Sequence, residues 1–69
     1  MFNKFVDELE GFSVGQVVRI HGIDQKLTIT HLEPKWFRDH LCQLIYQKSN
    51  KNMRTLSNVP LKTIRKCNE

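Results

Sequence analysis

The hydrophobic pattern changes period at about residue 11. Over residues 2–10, Phe2, Phe5, Val6 and Leu9 recur at spacings of three and four while Asp7, Glu8 and Glu10 fall between them, which predicts a short amphipathic helix. Asn3 is its candidate cap and Gly11 its candidate stop. Such a helix serves either as a lid over a small core or as a partner-binding face. Beyond Gly11 the period is two. Val14-Gly15-Gln16-Val17-Val18-Arg19-Ile20 is a compact run rich in β-branched residues, and His21-Gly22-Ile23-Asp24 breaks it. Residues 26–32 alternate, with Leu27 and Ile29 on the inward phase and Thr28 and Thr30 outward.

Pro34 interrupts the next stretch, so residues 33–39 read as a connection, and residues 40–47 resume as a central strand that is apolar on both faces. A polar turn over 48–52 leads to a fourth strand over 53–57. Residues 59–64 read as a tight helical turn feeding a last short strand at 64–66. The expected core is Val18, Ile20, Leu27, Ile29, Leu44, Leu56 and Ile64. Four to five short strands with turns every eight to twelve residues, and one helical turn before the last, predict a mainly β fold. The expected form is a small SH3-like barrel over residues 12–69, with a helix over 1–11 packed on it.

Gly15-Gln16-Val17-Val18-Arg19-Ile20 followed by Lys26-Leu27-Thr28-Ile29 resembles the opening strands of the YodC-like family of small bacterial proteins. Cys42-Gln43 with the polar turn after it is similar to that family's middle strand, and Val59-Pro60-Leu61 leading to Ile64 is similar to its closing turn. The resemblance covers residues 12–66 and implies the SH3-like barrel. It implies no activity, because the family has none assigned.

Composition changes this picture in two ways. A chain of 69 residues holds one domain, and a core of that size supplies only about 3–5 kcal/mol, which makes a homodimer a natural expectation. The net charge of +4 is unevenly spread: residues 1–10 hold one cation against three anions, so +6 resides in residues 11–69. A basic body attracts polyanions. Of the two cysteines, Cys42 alternates with Leu44 on a strand and reads as a buried, reduced thiol, which points to the cytoplasm. No apolar run is long enough to cross a membrane as a helix.

Catalytic templates do not fit. The chain has no nucleophile elbow, glycine-rich phosphate loop or His-Glu-X-X-His run. His40 and Cys42 share a strand face, but a buried thiol is inert unless its pKa falls, and His31, His40 and Cys42 lack the spacing of metal ligands. A non-enzymatic module without cofactor or metal is expected.

The richest segment is Lys35-Trp36-Phe37-Arg38, where two adjacent aromatics are flanked by cations. Such a loop offers bases a stacking surface and phosphates a counter-charge, and equally one ring can fold down to plug the core. Lys48, Lys51 and Arg54 bracket the following hairpin, and Lys62, Arg65 and Lys66 crowd the carboxyl end. Nucleic-acid binding through Lys35, Trp36, Phe37, Arg38, Lys48, Lys51 and Arg54 is the leading expectation. A protein partner held by the exposed aromatics or the amino-terminal helix is the alternative.

Overall fold

The structure, a computed structural model, describes residues 5–48 and 52–67. Its strands are β1 (Glu8–Leu9), β2 (Phe12–Ser13), β3 (Val17–Ile20), β4 (Ile23–Glu33), β5 (Leu41–Gln47), β6 (Met53–Pro60) and β7 (Ile64–Lys66), with a 3-10 turn, η1 (Leu61–Thr63), before β7. Strands β3 to β7 form one antiparallel sheet in the order β6-β5-β4-β3-β7, and β1 pairs with β2 in a separate hairpin. Among the described residues each outer strand, β6 and β7, pairs on one side only. The sheet is therefore open, not the closed barrel expected from the strand spacing. Pro60, which has no N–H, sits on the edge strand β6, where that loss is tolerated.

The expected amino-terminal helix is absent from the described part of that segment, and Phe2, Asn3 and Lys4 lie outside the described residues. Val6 instead bridges to Leu32, its N–H donating to the Leu32 carbonyl at 2.9 Å, and β1 turns into β2 through Glu10 and Gly11. The physical reason is twofold. A nine-residue helix is marginal in water on its own, whereas β4 is longer than β3 and leaves carbonyls on its uncovered flank that need donors. Gly15 N–H serves the Ile29 carbonyl at 2.7 Å and Ile29 N–H serves the Gln16 carbonyl at 3.0 Å on the same flank. The apolar spacing that mimicked a helix is met by the hairpin, which sets Leu9 opposite Phe12. Both turn residues have positive φ, Glu10 at 54° and Gly11 at 84°, the geometry of a tight two-residue hairpin loop.

The core lies on one face of the curved sheet and comprises Val18, Leu27, Ile29, Leu32, Cys42, Leu44, Val59, Leu61 and Ile64. Five of the seven expected core residues are among them. Ile20 and Leu56 are half-buried and pack against that set. Two bulges explain the extra members. Register shifts between Ile29 and His31 on β4, so the inward phase that begins at Leu27 and Ile29 continues at Leu32 rather than His31. On β6, Ser57 and Asn58 together oppose Gln43, with Asn58 at φ 57°, and this delivers Val59 to the core opposite Cys42. Strand β6 accordingly runs through Pro60, and only Leu61–Thr63 forms the helical turn that the sequence predicted over 59–64.

Candidate functional site

Pro34 ends the ladder after Glu33, and residues 34–40 connect β4 to β5. The connection is closed at its base by one short bond, Lys35 N–H donating to His40 Nδ1 at 2.9 Å. With its ends pinned, the tip cannot reach the core, which Leu32, Leu41, Val59 and Leu61 already fill. Trp36 is 91% exposed and Phe37 71% exposed. Of the two readings open for this loop, a ring folded into the core and rings held outside, the second is what the structure has: both rings are outside. They meet edge to face, with centroids 5.3 Å apart and planes at 79°.

The chain after Phe37 forms one wall of a groove of about 290 Å³, lined by Arg38, Asp39 and His40 from this connection, Leu61 and Lys62 from η1, and Glu10 and Phe12 from the β1–β2 hairpin. Leu61 N–H donates to the His40 carbonyl at 2.8 Å, which fixes η1 against the loop, and Lys62 Nζ lies 3.0 Å from Asp39 Oδ2. The apolar floor is Phe12 and Leu61. The rim carries two anions, Glu10 and Asp39, against two cations, Arg38 and Lys62. Lys35 is neutralised in the same way, its Nζ 3.0 Å from Glu33 Oε2.

The residues expected to act together separate into two groups. Lys35, Trp36, Phe37 and Arg38 stand at the start of β5, while Lys48 and Arg54 stand at its far end, where Arg54 pairs with Tyr46. At about 3.3 Å per residue, β5 holds the groups roughly 20 Å apart. Lys51 lies outside the described residues. The carboxyl-terminal cations divide: Lys62 stands on the groove beside Arg38 and Lys66 Nζ sits 5.6 Å over the Phe12 ring of its floor, while Arg65 is elsewhere, opposite Arg19 on β3. The convergence of Glu10, Phe12, Asp39, His40, Leu61 and Lys62 on one groove had no local signal, because three segments distant in sequence supply them.

The thiol and imidazoles are engaged separately. Cys42 Sγ donates to the Val59 carbonyl at 3.4 Å, and burial pushes this thiol up to about 11. Both cysteines are free thiols, Cys42 buried and Cys67 half-buried. The Thr30 hydroxyl donates to the Gln43 carbonyl at 3.1 Å, which leaves its oxygen to accept from His31 Nδ1 at 3.2 Å, and the His31 ring packs on Phe5 with centroids 4.8 Å apart. Among the described residues no three His, Cys, Asp or Glu side chains gather where a metal ion could be held. Comparison with protein-family models, with curated proteins and with solved structures finds no match.

Proposed function

We propose that the protein is a small non-enzymatic binding module that docks a segment of a partner protein, with Trp36 and Phe37 as anchors and the adjoining groove as the seat for the chain that follows them. The observation that carries this is the pair of solvent-exposed rings beside a groove whose surround carries charges of both signs. Exposed aromatics of this size are the side chains on which protein interfaces concentrate their binding energy. A rim with both signs suits a peptide, which presents donors, acceptors and mixed charge. The strand order β6-β5-β4-β3-β7, with a 3-10 turn before the final strand, supports reading the sheet as SH3-like, while kinship with YodC-like proteins over residues 12–66 rests on the sequence resemblance alone.

Nucleic acid is the second reading of the same loop, favoured by the two exposed rings and by Arg38 beside them. Stacking on single-stranded bases needs no more than that, but affinity for a polyanion comes mostly from uncompensated cations. Around this loop Lys35 and Lys62 each have a carboxylate at 3.0 Å. That balance is why a protein segment is placed first.

Selection from a displayed peptide library tests the proposal, with Trp36→Ala and Phe37→Ala as counter-targets. Peptides that bind the natural chain and lose about tenfold or more of their affinity on Trp36→Ala support it, since truncating a central aromatic typically costs about 2 kcal/mol. Selected binders indifferent to both substitutions would remove the loop from the interface.

A further inference from the structure

At the β7 edge of the sheet two arginines face each other. Arg19 of β3 and Arg65 of β7 are direct cross-strand partners, so their Cβ atoms lie about 5 Å apart on one face, a pairing of like charges that opposes folding. Both side chains are exposed. Lys35 and Lys62 each hold a carboxylate, but among the described residues neither Arg19 nor Arg65 has one. Arg19 instead directs Nη1 to the backbone carbonyl of Asp24 at 3.2 Å.

The backbone around the pair is irregular. Between the pairs Val18↔Leu27 and Ile20↔Ile23 the β4 strand places Asp24, Gln25 and Lys26 opposite Arg19 alone. Beside this irregularity the His21-Gly22 turn borders an open groove of about 270 Å³ lined by Arg19, Ile20, His21, Gly22, Ile23 and Arg65. Gly22 takes φ 93°, a backbone conformation that glycine adopts without strain, and this forms the turn that borders the groove. Asp24, the acid nearest in sequence, is not among the lining residues.

We propose that this groove binds the phosphate groups of a nucleic-acid backbone, with Arg19 and Arg65 as the two contacting cations. Guanidinium forks grip phosphate oxygens in pairs, and a phosphate between them removes the repulsion that the empty pair carries. Nucleic acid rather than a lipid surface is the occupant because the large exposed rings that a membrane would take up stand on the 34–40 loop, whereas this groove offers only the half-buried Ile20 and Ile23. The site is independent of the aromatic loop, and its occupancy does not rest on the function assigned to that loop.

The test uses the full chain and a fluorescein-labelled oligonucleotide, single-stranded and duplex, followed by anisotropy over a salt series. Inorganic phosphate and phosphatidylglycerol vesicles form separate arms. Binding is expected to weaken steeply with salt. The slope of log K against log salt should fall by about one unit on Arg19→Gln and again on Arg65→Gln, and stay unchanged on Trp36→Ala. Arg65→Lys should keep the salt slope and weaken binding, because it keeps the charge and loses the fork. Removing one of two facing cations leaves the fold as stable or more so, so melting curves distinguish lost contact from lost structure. Oligonucleotide affinity indifferent to both glutamine variants would overturn the proposal. So would capture by vesicles without capture by oligonucleotides, or no binding at low salt, in which case the arginines serve only to keep the β7 edge from pairing with another sheet.

Discussion

Leu32 should be a core residue as costly to truncate as Leu27, although strict alternation from Leu27 and Ile29 would place His31 inside instead. The bulge between Ile29 and His31 makes this difference, leaving Leu32 fully buried opposite Cys42 and His31 half-exposed against Phe5. Leu32→Ala removes a buried side chain and should cost about 2–5 kcal/mol, which is comparable to the roughly 3–5 kcal/mol that a core of this size supplies. That variant is expected to be largely unfolded at room temperature. Leu32→Val gives the measurable number, about 1 kcal/mol, while His31→Ala should stay within about 1 kcal/mol of the natural chain. Urea unfolding followed by far-ultraviolet circular dichroism is the appropriate assay, because the single Trp36 is 91% exposed when folded and reports little on unfolding. A cooperative Leu32→Ala as stable as the natural chain, or a His31→Ala that loses as much as Leu32→Ala, would refute the shifted phase.

A thiol reagent at neutral pH should label Cys67 quickly and Cys42 only on unfolding, which mass spectrometry of the labelled peptides checks. Burial raises the Cys42 thiol from 9.0 to about 11, so the folded state favours the protonated form. This contribution to stability is complete below pH 9 and is lost as pH rises toward 11; Cys42→Ala should show a flatter pH dependence over that window in urea titrations. Glu10 holds φ 54° without being glycine, so Glu10→Asn should stabilise the chain by about 0.5–1 kcal/mol, and Gly11→Ala should destabilise it, since φ is 84° there and the added Cβ would stand 3.2 Å from Lys66 Nζ. Thermal melts of the two variants decide both.

The strands of the main sheet were legible because Val18, Leu27, Ile29 and Leu44 keep strict alternation, and the last turn and strand because Pro60 and Ile64 bracket them. The amino-terminal hairpin was not, because Phe5, Val6 and Leu9 fall at helical spacing, whereas Leu9 pairs with Phe12 across the hairpin and Val6 bridges to the Leu32 carbonyl on β4, far along the chain. Bulges are also silent locally: nothing beside Thr30 or Asn58 announces the extra residue that brings Leu32 and Val59 inside. The aromatic loop was visible as composition, but its exposure follows from the Lys35–His40 bond and from a core already filled. The Arg19–Arg65 juxtaposition depends on the register between the first and last strands of the sheet. No window of sequence contains it.

Trp36 is the only tryptophan in the chain, so its fluorescence reports on the aromatic loop alone. Acrylamide quenching of Trp36 should be measured with a library-selected peptide and, separately, with a single-stranded oligonucleotide, each at low and moderate salt. The peptide should protect Trp36 to the same degree at both salt concentrations, because burial of an apolar ring against a charge-balanced rim responds little to screening. The oligonucleotide, held through Arg19 and Arg65, should leave Trp36 as open to the quencher as in the free protein. Protection of Trp36 by the oligonucleotide that disappears as salt is raised, with none from the peptide, would contradict the assignment of this loop to a protein partner.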